Sequence, residues 1–121
     1  MANDFKRFQV SSASTSTGAS GSTAYTVPAG AGSSALESIV IGITLSNKTA
    51  TGITGDVYLD GFVGTDTYIV KGASIPAGSS LEVMAGNKLV LQNNGTTGDV
   101  IKITSGTASA LDATVSVLED V

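Results

Sequence analysis

The sequence contains no cysteine, no histidine and no tryptophan, and each of the first two absences excludes a class of protein. Without cysteine there is no disulfide framework and no cysteine-ligated zinc site. Without histidine the chain cannot form a Ser-His-Asp triad or a histidine-ligated metal centre. A small domain with none of these supports must gain its stability from packing or from association with other chains.

Charged residues are also scarce, at 13% of the chain with a formal net charge of −4. The six lysines and arginines are scattered and form no basic stripe, so the sequence predicts no nucleic-acid partner. No apolar run approaches the roughly 18 residues that a membrane span requires, and residues 1–7 lack the apolar stretch of a secretory signal. We therefore expect a protein that is made in the cytoplasm, contacts no membrane, and has a nearly neutral surface suited to packing among neighbouring subunits.

Short apolar runs alternate with polar turn residues about every ten positions, which is typical of an all-β chain. We predict a single antiparallel β-sandwich domain, jelly-roll-like, with eight or nine short strands over residues 1–121. The two prolines of the chain lie in near-copies of one motif, Val-Pro-Ala-Gly at residues 27–30 and Ile-Pro-Ala-Gly at residues 75–78. Proline sets one backbone angle and glycine tolerates a positive φ, so each motif predicts a corner where a strand leaves one sheet edge and enters the fold elsewhere.

The N-terminal region predicts a strand followed by a loop. Residues 1–10 form an N-terminal arm that includes the start of a first strand, predicted at residues 5–11. Residues 11–22 contain only serine, threonine, alanine and glycine, and they predict a flexible loop or the tip of a long hairpin.

Two later segments carry specific expectations. Residues 35–47 are nearly continuously apolar and rich in β-branched residues, which predicts a long central strand with a bend or bulge at Gly42. Residues 79–83 and 88–92 flank Ala-Gly-Asn at 85–87, which predicts a hairpin.

Carboxylates provide the remaining candidates for a chemical site. Asp56, Asp60 and Asp66 lie in one stretch, and three carboxylates can hold a calcium ion, but their spacing does not match an EF-hand loop and turn positions explain them more simply. Glu37 and Glu82 follow the two corners at like positions, and a carboxylate pair can hydrolyse glycosides when a cleft with aromatic platforms holds the sugar. The chain has six aromatic residues, too few for such a cleft, so we interpret both glutamates as surface residues. The sequence predicts no catalytic residue, no cofactor and no enzyme.

Most of the aromatic side chains are interpreted as core residues, with one or two available to a subunit interface. These aromatic residues are Phe5, Phe8, Tyr25, Tyr58 and Tyr68.

Four segments carry a resemblance to a known class of proteins: residues 1–7, 25–30, 68–81 and 114–119. Together they resemble small structural proteins of tailed bacteriophages, notably phages of marine bacteria and cyanobacteria. The resemblance implies a virion protein and carries no catalytic or binding residues with it. Within this class we expect a capsid decoration (cement) protein, a trimer or dimer that clamps the major capsid protein or other virion proteins through many weak contacts repeated by symmetry.

The N-terminal segment is the part that we expect to make this contact. Phe5, Lys6, Arg7 and Phe8 lie near a chain end, and such ends often become ordered only by docking. Two alternatives stay open. A neck or tail component, such as a collar, adaptor-associated or fibre-base protein, would have a similar sequence and a different copy number. A carbohydrate-binding module would depend on the aspartate group and would be stabilised by calcium.

Overall fold

Nine β-strands form two antiparallel sheets in the computed structural model, which describes residues 3–16, 18–30, 32, 35–61, 66–84 and 88–120. The strands are β1 (Asn3–Val10), β2 (Ser22–Thr26), β3 (Leu36–Asn47), β4 (Ile53–Asp60), β5 (Asp66–Ile75), β6 (Ser80–Glu82), β7 (Leu89–Asn93), β8 (Val100–Ser105) and β9 (Leu111–Asp120). The predicted all-β sandwich is confirmed. The start of the predicted arm at residues 1–2, residue 17 of the predicted loop and the predicted turn at 85–87 lie outside the described residues.

The two sheets are assembled from strands that are distant in the sequence. Sheet A has the order β1-β9-β3, with both β6 and β7 paired to the other side of β3, and sheet B has the order β2-β8-β4-β5. Alternate side chains of both sheets point inward and enclose the core, as in other sandwiches. Large, fully buried side chains of this core include Ile43, Leu45, Ile75, Leu91, Ile101, Ile103 and Leu111.

Both Pro-Ala-Gly motifs carry the chain from sheet B to sheet A, as the predicted corners require. Residues 27–30 connect β2 to β3, and residues 75–78 connect β5 to β6. At the second corner the Ser79 N–H donates to the Pro76 carbonyl at 3.1 Å, and Gly78 has a φ of 66°. At the first corner the positive φ lies two residues beyond the motif, at Gly32.

The long central strand predicted for residues 35–47 is β3, and its predicted irregularity lies at Gly42. The pairing of β3 with β9 shifts register between Val40 and Gly42. The Glu82 carboxylate fastens this bulge by accepting hydrogen bonds from the Ile43 N–H at 3.1 Å and the Thr44 hydroxyl at 2.9 Å. The shift lets Val40 and Ile43 both face the core, although they lie three residues apart.

The predicted hairpin between residues 79–83 and 88–92 is wrong. β6 pairs with residues 44–46 of β3, while β7 pairs with residues 36–40, and both are antiparallel to it. They therefore run in the same direction along β3, as one edge strand interrupted in the middle. The long apolar strand is the better partner because pairing with it places leucines of both short strands against the core.

The predicted loop lies between β1 in sheet A and β2 in sheet B. The hairpin-tip alternative is therefore wrong, because the two strands of a hairpin belong to one sheet. The Ala13 N–H donates to the Leu111 carbonyl at 2.8 Å, which ties the start of the loop to β9. The Tyr58 hydroxyl donates to the Gly18 carbonyl at 2.5 Å, which ties its end to the outer face of sheet B. The flexibility of this loop stays a prediction.

Replacing Tyr58 with phenylalanine should lower the free energy of unfolding by about 1 kcal/mol, because the Gly18 carbonyl loses its donor. Hydrogen exchange at residues 18–21 should also become faster, and both effects can be measured by urea denaturation and exchange mass spectrometry. Tyr68→Phe is the matched control, since it removes the same atom from the half-buried neighbouring ring, 5.1 Å away between centroids. Equal destabilisation in both variants, or unchanged exchange in Tyr58→Phe, would show that the hydroxyl does not hold the loop.

Candidate functional site on the outer face of sheet A

A continuous row of large apolar side chains crosses the outer face of sheet A. The strand register places Val90 opposite Ile39, and Ile39 opposite Leu118. Leu118 in turn lies opposite Phe5 in the edge strand β1. Phe5 is 78% exposed and Val90 is 57% exposed, while Ile41, at the adjacent bulge, is 38% exposed. We call Phe5, Leu118, Ile39 and Val90 the apolar row; it spans four strands, or about 14 Å.

The positions on either side of the apolar row are small or polar. Gly42, Ser116 and Arg7 are aligned on one side of it. Glu37 and Gln92 are paired on the other side. An exposed apolar patch with a polar rim is the arrangement that marks a protein-docking surface. The four side chains of the apolar row carry no acid, base or nucleophile, and what they offer a partner is apolar contact.

The four residues predicted for an interface are divided between the two faces of β1. Phe5 and Arg7 lie on the outer face, because they pair with outward-facing residues of β9. Lys6 and Phe8 lie on the inner side, where the Phe8 ring packs against Tyr25 with 4.8 Å between centroids. The interpretation of Phe5 as a core residue is wrong, since the two-residue period of β1 turns it outward.

The N-terminal arm predicted for residues 1–10 is represented in the described residues by β1. Residues 3–10 pair in unbroken register with residues 113–120 of β9. The segment therefore belongs to the sheet of its own domain, and its contact with another protein stays a prediction.

A buried polar network lies behind β1, and sequence reasoning missed it. One oxygen of the nearly fully buried Glu119 carboxylate accepts a hydrogen bond from Lys6 Nζ at 2.8 Å, and the other accepts one from Tyr25 Oη at 2.6 Å. Tyr25 Oη also lies 2.8 Å from Ser38 Oγ. The sequence gives one signal of this burial, because Glu119 continues the odd-numbered positions of β9, whose side chains face inward. A glutamate so near the end of a strand is easily mistaken for an exposed residue.

The electrostatics of this network favour an ionised Glu119. Burial acts to raise the pKa of Glu119, but the hydrogen bonds from Lys6 and Tyr25 and the charge of Lys6 together hold that pKa below its usual value of 4.5. Burial, and then the hydrogen bond to Glu119, raise the pKa of the Tyr25 hydroxyl. Since both carboxylate oxygens already accept hydrogen bonds, the network fastens β1 and β2 to β9 and offers no free acid or base.

The three aspartates considered as a calcium group do not converge. Asp60 and Asp66 are paired at one end of β4 and β5. Asp56 lies four residues back along β4, about 13 Å away, and accepts hydrogen bonds from the Gly72 N–H at 2.6 Å and Thr104 Oγ1 at 2.9 Å. Within the described ranges, no three histidine, cysteine, aspartate or glutamate residues are grouped so as to hold a metal ion. The calcium interpretation therefore has no support in this geometry.

The two glutamates that follow the corners are also far apart. Glu37 lies near the start of β3, whereas Glu82 pairs with Thr44, seven residues further along the same strand. Seven residues of strand span about 23 Å, and the two carboxyl groups of a glycosidase lie less than about 10 Å apart. Glu37 and Glu82 cannot act as a pair.

An open pocket of about 470 Å³ lies at one end of sheet A, with Asp112 as the titratable group in its lining. The residues that line it are Gln9, Val10, Ser11, Ser46, Asp112, Ala113 and Thr114. The hydrogen bond from Lys48, 2.9 Å away, and that from the Ser12 N–H lower the pKa of Asp112. A carboxylate held ionised in this way cannot serve as a general acid at neutral pH, so the pocket carries no evident chemistry.

A scan against protein-family models and a search of curated protein sequences each found no match to this chain. In the part of the chain that the structure describes, no helix has the length and hydropathy needed to cross a membrane. The outer face of sheet A is thus the structural observation from which a function can be inferred.

Proposed function

We propose that this protein is a non-enzymatic structural protein of a bacteriophage particle, and that it decorates the capsid as a cement protein. The apolar row carries the proposal, because its four uncharged side chains give the outer face of sheet A an apolar docking surface with a polar rim. The resemblance of residues 1–7, 25–30, 68–81 and 114–119 to small phage structural proteins indicates the type of particle.

The composition of the surface supports docking onto a large assembly. Charged residues are few, so the surface of this protein can dock onto another protein without removing many charged side chains from water. The apolar row lies on a sheet whose strands are held in place by pairing and by the core beneath, so the backbone needs little further ordering on binding. Each copy needs only a modest affinity, because the contacts are repeated over the symmetric shell.

The N-terminal residues have two roles in this proposal. Phe5 and Arg7 are on the outer face and contact the shell protein. Lys6 and Phe8 lie behind the strand and position β1 through Glu119 and Tyr25. The proposed contact therefore involves β1, β9, β3 and β7 together, not a free arm.

The copy number of the protein relative to the major capsid protein, measured by quantitative mass spectrometry of purified particles, tests the location. A number that follows the icosahedral lattice is expected for a shell decoration protein. A number of about a dozen or fewer would follow the tail axis and would overturn shell decoration in favour of a neck or tail component. Absence from the particle would overturn the virion role.

Val90→Asn tests the docking surface, since Val90 ends the apolar row on the strand farthest from β1. We expect this variant to bind purified particles that lack the protein at least about tenfold more weakly than the wild type. Thr67→Asn is the control, because Thr67 is exposed on β5 in the other sheet and should leave binding unchanged. Equal binding by Val90→Asn and the wild type would exclude the apolar row from the contact.

A further inference from the structure

We propose that β1 pairs with β1 of a second copy of this chain, antiparallel about a two-fold axis at Phe5, so that the two A sheets join into one. This pairing follows from the edge of sheet A and from the sequence of β1. It does not rest on the proposed role in a virion.

Among the described edge strands, β1 is the one that is both uninterrupted and free of register shifts. Its eight residues pair with β9 without a register shift. The opposite edge of sheet A is divided between β6 and β7. In sheet B, β2 is short and shifts register against β8, and β5 shifts register twice against β4 and contains Gly72 with a φ of 66°. Short, interrupted and bulged edges resist pairing with another strand, and β1 has none of these protections.

The geometry of a two-fold axis limits the possible registers. In an antiparallel ladder, the side chains of two directly opposed residues point to the same face of the sheet. Neighbouring residues of one strand point to opposite faces, so a residue can oppose only an odd-numbered or only an even-numbered partner like itself. The two-fold axis must therefore lie between one residue and the copy of that same residue. An axis at Asp4, Lys6 or Arg7 would place like charges directly opposite each other, which is destabilising. An axis at Phe8 would involve a ring that is already packed against Tyr25.

An axis at Phe5 is the register that the charges favour. It places Asp4 of each copy opposite Lys6 of the other, which forms two ion pairs by symmetry. Arg7 then lies opposite the polar Asn3, and the two Phe5 rings meet at the centre. Charged residues usually guard a sheet edge against pairing, but in β1 they are complementary to a second copy of the same strand.

The contacts within one chain leave the required groups available. The Lys6 side chain is 43% exposed although its ammonium group binds Glu119, so one face of it remains open to a second carboxylate. Phe5, at 78% exposed, has most of its ring free for a second ring. Pairing at Phe5 would also join the apolar rows of the two copies into one row across the axis, which doubles the docking surface.

Sedimentation velocity over a range of concentrations tests the pairing in the full chain. We expect a reversible dimer for the wild type and at least about a tenfold weaker dimer for Asp4→Lys, which places cations opposite Lys6 at both ends of the contact. Asp66→Lys is the matched control, since it makes the same charge change at an exposed position of β5 and should dimerise like the wild type. A wild type that stays monomeric or forms trimers, or a dimer that Asp4→Lys does not weaken, would overturn the proposal.

The absence of cysteine allows a second test that reports the register directly. In Phe5→Cys the two introduced thiols lie opposite each other, with Cα atoms about 4.5–5.5 Å apart, which is within the range of a disulfide. In Arg7→Cys they lie four residues apart along the strands, about 13 Å. Rapid covalent dimer formation in Phe5→Cys and not in Arg7→Cys is expected under mild oxidation. Equal cross-linking of the two variants, or faster cross-linking of Arg7→Cys, would overturn the register, whatever the copy number in particles shows about the virion role.

Discussion

Replacing Asn47 with alanine is expected to lower the free energy of unfolding by about 2–4 kcal/mol, because it leaves buried backbone carbonyl groups without a donor. Asn47 is buried at the end of β3. Its Nδ2 group donates to the Thr51 carbonyl at 2.7 Å and the Ile75 carbonyl at 3.0 Å, while its Oδ1 accepts the Thr49 N–H at 2.9 Å. One side chain thus holds the second Pro-Ala-Gly corner against the end of sheet A.

Urea denaturation measures this loss, and two further variants separate its causes. Asn47→Asp keeps the acceptor for Thr49 but removes the donor to the corner, so we expect most of the destabilisation to remain. Asn94→Ala is the control, because Asn94 accepts hydrogen bonds from the Thr96 and Thr97 N–H groups in an exposed turn and should cost about 1 kcal/mol or less. If Asn94→Ala destabilised the protein as much as Asn47→Ala, the loss of stability in Asn47→Ala could not be attributed to the buried carbonyl groups of the corner.

The first corner is held in the same way, which the sequence analysis did not anticipate. Asn93, at the end of β7, donates from Nδ2 to the Val27 carbonyl at 2.8 Å and accepts the Gly95 N–H at 2.7 Å. Each Pro-Ala-Gly corner is thus fastened by a buried asparagine from the end of a sheet A strand. The corners are recognisable from proline and glycine, whereas their asparagine partners lie 28 and 66 residues away and become neighbours only in the folded chain.

Replacing Glu119 with alanine is expected to lower the free energy of unfolding by about 2–3 kcal/mol at neutral pH, the magnitude of losing hydrogen bonds to a charged group. The larger part of this loss in the free energy of unfolding should come from the buried hydrogen bond with Tyr25. The Lys6 side chain is 43% exposed, so water can replace part of its contact with Glu119. Glu119→Gln keeps the shape of the side chain and removes its charge, so it isolates the electrostatic contribution.

The contribution of the Glu119 charge should depend on pH in one direction. Its pKa is below 4.5 in the folded chain and near 4.5 in the unfolded chain, so the unfolded chain binds the proton first as the pH falls. The stabilisation is therefore complete above the unfolded pKa and is lost as the pH falls through the folded pKa. We expect the stability difference between the wild type and Glu119→Gln to be constant above a pH of about 5 and to shrink below it.

Urea denaturation between about pH 7 and pH 3 measures this dependence. Glu37→Gln is the matched control, because Glu37 is an exposed glutamate of the same sheet and its replacement should change the stability little. A difference between the wild type and Glu119→Gln that persists unchanged at the lowest pH would mean that the charge does not stabilise the fold.

The features of the fold that depend on residues adjacent in the sequence could be predicted from the sequence. The two-residue alternation predicted the sandwich, proline and glycine predicted both corners, and Gly42 predicted the bulge in β3. The predicted hairpin failed because a run such as residues 88–92 pairs equally well with a neighbour in the sequence or with a distant strand. The prediction that Phe5 is a core residue failed for a related reason, since the alternation of a strand does not itself indicate which of its two faces meets the core.

By itself the sequence determined that this protein is an all-β chain with two proline corners, few charges and no histidine or cysteine chemistry. The tertiary structure alone decided that Phe5, Leu118, Ile39 and Val90 form one row and that Glu119 lies buried between Lys6 and Tyr25. The physical reason is the range of the forces involved. Backbone sterics and side-chain alternation act between neighbouring residues, whereas strand pairing is selected by the burial of apolar surface over the whole chain.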